Sequence, residues 1–305
     1  MNQFLGVMIP TILLFVSGVV TMVVIDGWRR FQHRRTPLTR NLLRGPGHSL
    51  RLRIESLDDE ISQSALGAMF GPVGIYAIYL SQVQFTDSIG ERLLSLVLCF
   101  VIGVAIPIFC IVRLWRLMTD RRHCQLGLEG ELMVAEELNL LMLEGCRVFH
   151  DIPIQYGNVD HVVVSQSGVY SVNTKMLGKL KTHDGKQEVT IDHSRNIIQF
   201  PDRVYSIPVS RLTTEAECLS KLLTSAIGEK IEVESMLALP GWFVKERIGR
   251  GPVFVFNPRN PKVFFVQERK VLTSQQIQRI SHQLDQICRD VEPCAKPKLH
   301  WIDGK

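Results

Sequence analysis

The residues best suited to chemistry lie in one short segment, NVDHVVVSQSGVYSVNTK, at 158–175. It holds a carboxylate (Asp160), an amide (Asn173) and an ammonium (Lys175). Two β-branched runs, 159–165 and 169–175, flank Ser167-Gly168, a pattern that predicts a β-hairpin. A turn centred on that dipeptide sets Asp160 opposite Lys175, with Asn173 as a diagonal neighbour. Asn173 and Lys175 share a face because strand side chains alternate; a register slip of one residue would break the grouping. Such a set suits metal-dependent phosphodiester cleavage. Mg²⁺ takes oxygen ligands and keeps several waters. A bound water loses its proton more easily, and a nearby lysine orients it or stabilises developing charge. Asp160 is then the main ligand, the Thr174 carbonyl supplies another oxygen, and Glu131 approaches from a preceding helix. The plainer alternative makes Asp160 a turn cap, Lys175 its salt-bridge partner and Glu131 a member of a capping network.

The elements that would position these residues follow from periodicity. Residues 126–144 predict a helix in which Val134, Leu138 and Leu141 form one apolar stripe. Glu131 falls on that stripe, and an inward carboxylate needs a partner or a metal. Strands are expected at 147–152, 186–191, 233–239, 253–256 and 263–266. A helix is expected over 208–227, with Leu212, Leu219, Leu222 and Leu223 as its apolar residues. A last helix after Thr273 carries Ile277, Ile280, Leu284 and Ile287 on one face. This order describes an α/β domain with a mixed sheet. Lys179, Lys181, Lys186, Arg195, Arg203 and Arg211 follow the hairpin and either contact phosphates or form a solvated surface. His150, His161, His183 and His193 have no paired Cys/His spacing, nor do Cys288, Cys294 and His300, so zinc is not expected.

The 305 residues are 46% hydrophobic and 21% charged, with a net charge of +5. The charge is unevenly spread: residues 1–115 hold 10 Lys/Arg and 7 Asp/Glu, the remainder 25 and 23. Three stretches, about 4–25, 64–83 and 93–112, are long and apolar enough to be membrane helices. Pro10, Pro72 and Pro107 should kink them, and Gly67 and Gly71 permit close packing. No ionisable residue lies deep in a span, which argues for an anchor and against a transport path. Eight arginines fall in 26–60, one in 84–92, and four more at 113, 116, 121 and 122. Positive residues stay cytoplasmic. The expectation is therefore a multi-pass protein of the cell (inner) membrane, its N-terminus outside and its C-terminal domain cytoplasmic. The arginines could also meet anionic head groups of the bilayer. Seven scattered cysteines exclude a disulfide framework.

The pieces GLEGELMVAEEL (127–138), VDHVVVSQSGVYSVNTK (159–175), GKL (178–180) and LTSQQIQRISHQL (272–284), in this order and spacing, resemble the nuclease-related domain (NERD) family of the PD-(D/E)XK nuclease superfamily. The resemblance covers roughly 125–290. It implies a restriction-endonuclease-like core, nucleic acid as partner, Mg²⁺ or Mn²⁺ as cofactor, and a site of Asp160, Asn173, Lys175 and Glu131, the metal resting on Asp160, Asn173 and Glu131. The whole reads as an N-terminal three-helix membrane anchor (1–115), an α/β restriction-endonuclease-like domain with a mixed central sheet (120–292) and a tail (293–305). One departure stands out: the family pattern has a carboxylate where this chain has Asn173. Either Glu131 or Glu129 makes up the charge, or the domain is a catalytically degenerate nuclease fold that binds nucleic acid or a protein.

Overall fold

A computed structural model describes residues 16–21, 23–24, 38–83, 88–155, 157–179, 188–266 and 269–293. The chain forms two compact units, 1–37 with 54–122 and 295–305, and 38–53 with 123–294.

In the first unit most described residues lie on helix α1 (His48–Val83), which starts in the second unit, and on helix α2 (Ile89–Asn139), which runs on into it. Both are long and apolar enough to cross a membrane by length and composition. Among the described residues there are thus two such helices, not three. The expected span 4–25 falls largely outside the described residues; 16–21 and 23–24 are helical. The expected gap near 113–125 does not exist either. Its residues are charged but good helix formers, so α2 continues through them. Gly67 and Gly71 do allow close packing: a Cβ on Gly71 would stand 2.7 Å from Ile106 Cγ2, and one on Gly67 3.4 Å from Cys110 Sγ. Large apolar side chains such as Phe100, Phe109 and Trp115 remain outside this packing, at 69%, 67% and 77% exposure.

The second unit is built on a five-stranded mixed sheet of order β1-β2-β3-β7-β9. Strands β1 (Arg147–Ile154), β2 (Gly157–Ser165) and β3 (Gly168–Thr174) are antiparallel; β7 (Val233–Ala238) and β9 (Val253–Phe256) join β3 in parallel. The C-terminal part of α2 and a 3-10 turn (Leu140–Glu144) cover one face. There Val134, Leu138 and Leu141 meet Val148, Val163, Val172 and Phe256. Helices α3 (Val209–Ile227) and α5 (Ser274–Cys288) cover the other, where Leu219, Leu223, Ile280 and Leu284 pack on Val162, Val164 and Val169. Continuous valine runs suit strands buried on both faces. Thr273 starts α5 with a capping box: its hydroxyl accepts from Gln276 N and its N–H donates to Gln276 Oε1.

A second sheet, β6-β5-β4-β8, stands beside this core. It contains β4 (Glu188–Asp192), β5 (Ile197–Gln199), β6 (Val204–Ser206) and β8 (Phe243–Ile248). Its apolar side chains Val189, Ile191 and Ile198 pack with Leu212, Leu239 and Trp242. Sequence periodicity predicts only β4 of these four. The expected strand at 263–266 is instead one helical turn, α4 (Lys262–Phe265), started by Pro261. Proline fixes φ and leaves one N–H absent where a helix does not need it.

The hairpin carrying Asp160 turns one place earlier than expected, which shifts its pairing by two residues. Ser165 pairs with Gly168 and His161 with Val172, so the two-residue turn is Gln166-Ser167. Gly168, at φ +155°, opens β3. Hydroxyl contacts fasten this turn: Ser165 Oγ and Ser167 Oγ are 2.8 Å apart, and Ser167 Oγ donates to the Phe265 carbonyl. The Gln166 carbonyl accepts from Val271 and Leu272. Continuing the ladder by one pair sets Asp160 opposite Asn173, not Lys175.

Candidate active site

Asp160 is half-buried on β2, and its Oδ2 accepts the backbone N–H of Thr174 at 2.7 Å. Burial is the main reason its carboxyl is pushed up to about 7. The charge of Glu215 adds to this, while the Thr174 N–H and Arg211 oppose it. Asn173, 5% exposed on β3, donates from Nδ2 to Glu215 Oε2 at 3.0 Å. Glu215 lies on α3 at 4% exposure, and its Oε1 accepts from Arg211 Nε at 2.7 Å, one helical turn earlier.

Lys175 lies just past the end of β3. Its backbone N–H donates to the Ala238 carbonyl, and its ammonium stands over the Tyr205 ring, 5.1 Å from the centroid. It is therefore a cation held by an aromatic face near the end of the hairpin, without the direct opposition to Asp160 that the sequence predicts.

Glu131, on α2, is 7% exposed, in line with its place on the apolar stripe. Its Oε2 is buried without a hydrogen-bond partner. Its carboxyl is pushed up to about 8, chiefly by burial, then by the charges of Asp160 and Asp151, with the Gly47 N–H opposing. Gly130, beside it, is where α2 comes closest to the end of the hairpin. A Cβ there would stand 2.6 Å from Met176 Cβ and 3.4 Å from Thr174 Cγ2. Gly130→Ala forces this contact apart at a Cβ, which cannot swing away as a side-chain tip can. The overpacking cost, about 1–3 kcal/mol, exceeds the helix-propensity gain of about 1 kcal/mol. The variant should melt below wild type; a higher melting temperature would refute the close approach.

Behind Asp160 runs a buried polar chain. His150 Nε2 is 3.2 Å from Asn139 Oδ1, the two Nδ1 atoms of His150 and His161 are 2.9 Å apart, and His161 Nε2 is 3.3 Å from Thr174 Oγ1. Two neutral rings satisfy every contact when Thr174 donates to His161, His161 to His150 and His150 to Asn139. Burial pushes His150 down to about 4; burial and then His150 push His161 well below the ordinary histidine value. These histidines orient Thr174, whose N–H holds Asp160.

The site residue that sequence reasoning missed is Glu215. Its signal was present: it sits at helical spacing between Leu212 and Leu219, both buried, as Glu131 does beside Val134. Glu129, considered as a source of the missing charge, is exposed on α2. Among the described residues, no group of three or more His, Cys, Asp or Glu side chains is placed to hold a metal ion between them. The unpartnered Glu131 Oε2 and the single hydrogen bond drawn by Asp160 still leave carboxylate oxygens available to a hard cation.

Comparison with known proteins bears on this geometry. No curated protein and no solved structure matches the chain. Residues 126–240, which carry Glu131, Asp160, Asn173, Lys175 and Glu215, match the family model of the nuclease-related domain, NERD.

Proposed function

We propose that the second unit hydrolyses phosphodiester bonds in nucleic acid with a divalent cation, Mg²⁺ or Mn²⁺, on a PD-(D/E)XK-type core. The carrying observation is the pair of carboxyls with unused oxygens, Asp160 and Glu131. Both are desolvated, and Glu131 has one oxygen with no partner. Two acids arranged this way bind either protons or a cation. Asp160, Glu131 and the neutral oxygens of Asn173 and Thr174 would hold the ion, an all-oxygen set that suits Mg²⁺ or Mn²⁺. When bound, the ion supplies a more acidic water and screens the phosphate charge. Lys175 sets a positive charge beside the hairpin end where a phosphate would lie. Arg211 and Lys179 add to that field, the latter with its ammonium 5.3 Å from the Trp242 ring centroid.

The apolar helices support a membrane location for this chemistry. We assign residues 1–115, apart from the segment 38–53 that belongs to the second unit, to the anchor and 120–292 to the catalytic domain. The arginine distribution places that domain on the cytoplasmic side.

The test is cleavage of DNA and RNA by the full-length chain in detergent micelles with Mg²⁺ or Mn²⁺. Activity should vanish with chelator and fall at least about 100-fold in Asp160→Asn, the scale for losing one electrostatic stabiliser of the transition state, here the ion that Asp160 would hold. Nucleic-acid binding without metal-dependent cleavage would mean that the fold recognises its ligand without cutting it.

A further inference from the structure

Asn173 stands where a carboxylate is expected, and the structure shows what faces it. Its Nδ2 donates to Glu215 Oε2 at 3.0 Å. An ionised carboxylate only accepts hydrogen bonds, so the nitrogen end of the amide must face Glu215. The ambiguity that usually attends an asparagine amide is resolved by chemistry: Oδ1 is turned away from Glu215. The side chain is 5% exposed and Glu215 4%, so neither contact is shared with bulk solvent. Arg211 Nε donates to the other Glu215 oxygen at 2.7 Å, so both carboxylate oxygens accept a hydrogen bond. Glu215 also raises the Asp160 carboxyl, so its charge is felt at the site.

We propose that Glu215 is a positioning residue that makes Asn173 an oxygen ligand. It locks the amide with Oδ1 available to a divalent cation shared with Asp160, and it supplies the missing negative charge from one hydrogen bond away. A carboxylate bonded to an amide N–H also draws electron density toward the amide oxygen, strengthening it as a donor. Asparagine at 173 is then a relocation of the acid from β3 to α3. The inference rests on the metal-site reading above.

A reciprocal exchange of acid and amide tests it, with Mn²⁺ as probe, its binding followed by electron paramagnetic resonance on the full-length chain in micelles, alongside thermal melting. In Glu215→Gln the partner can donate as well as accept, so the amide is no longer fixed. Mn²⁺ affinity should fall about 10- to 100-fold, the usual effect of removing a group that orients a ligand. Asn173→Asp alone sets two carboxylates at hydrogen-bond distance and should melt lower without metal. In the double variant, Asn173→Asp with Glu215→Gln, the glutamine amide donates to the new carboxylate; melting and Mn²⁺ affinity should both return to the wild-type level or above. A merely structural hydrogen bond would restore melting alone. Two results overturn the inference: a folded Glu215→Gln chain binding Mn²⁺ within threefold of wild type, or a double variant that regains melting without regaining affinity. Should Glu215→Gln not fold, the double variant decides on the same criterion. If wild type binds no more Mn²⁺ than Asp160→Asn, the metal-site reading itself fails and this inference falls with it.

Discussion

Raising the pH from 6.5 to 8.5 in the presence of a chelator should lower the melting temperature of the full-length chain, and Mn²⁺ should reverse the loss. Asp160 and Glu131 are pushed up to about 7 and about 8, against ordinary values near 4 in an unfolded chain. The native state therefore keeps protons that the unfolded state releases. Stability contributed by a raised acid is fully present below its unfolded pKa and is lost as pH rises through the folded one. The two groups together should cost on the order of 2 kcal/mol across this window, at about 1.4 kcal/mol per pKa unit. The buried histidines act in the opposite sense and elsewhere. His150, near 4, and His161, held well below the ordinary histidine value, are neutral when folded. They remove stability as pH falls below about 6.5, the unfolded histidine value, so they do not obscure the alkaline limb. A divalent ion binds the deprotonated native site and stabilises by about 2.7 kcal/mol at a hundredfold excess over its Kd. Asp160→Asn combined with Glu131→Gln should flatten the alkaline limb and abolish the Mn²⁺ shift. A wild-type chain that melts equally at both pH values in chelator, or an undiminished Mn²⁺ shift in the double variant, would remove the electrostatic basis of the site.

Much of the hairpin is legible from residues 147–175 alone. The valine-rich runs mark β2 and β3, and the apolar residues of 147–152 mark β1, each to within two residues, because strands buried on both faces select apolar and β-branched side chains. The register is not legible to one residue, since Ser-Gly reads as a turn wherever it occurs. Here the hydroxyls of Ser165 and Ser167, with the Gln166 carbonyl, move the turn one place earlier. That shift replaces an Asp160–Lys175 opposition by an Asp160–Asn173 one and changes the chemistry assigned to each. Strand β8 eludes periodicity because FVKERI is exposed along nearly its whole length, so neither face selects apolar residues. The contact of Asn173 with Glu215 joins residues 42 positions apart, and only the packing of α3 on the sheet brings them together. Glu131 and Glu215 share the one local sign that was available, a carboxylate on an apolar helical stripe.

Asp151→Ala should be the most destabilising single substitution in the second unit, by about 3–5 kcal/mol, or roughly 10 °C in melting temperature for a domain of this size. Asp151 is fully buried on β1, where the segment 38–53 reaches it through Arg44 and Ser49. Its Oδ1 accepts from Ser49 Oγ at 2.7 Å and from Asn158 Nδ2 at 2.6 Å; its Oδ2 accepts from Arg44 Nη1 and from the Ser49 N–H, both at 3.2 Å. Arg44 also grips Asp290 through two bonds of 2.8 and 2.6 Å, and Leu42 pairs with Val291. The segment before α1 is thus tied to β1 where that strand passes Asp160. Removing the carboxylate leaves the half-buried Arg44 guanidinium with Asp290 as its one carboxylate partner, and three other donors short of an acceptor. Asp151 also holds φ at +52°, where aspartate is tolerated better than alanine. Asp151→Gly separates the two effects, because glycine relieves the backbone while losing the same bonds. Both variants should melt well below wild type, and both should expose Arg40 and Arg44 to trypsin. If Asp151→Gly matches wild type and only Asp151→Ala falls, the cost lies in the backbone and the four-donor carboxylate is not what ties the segment down.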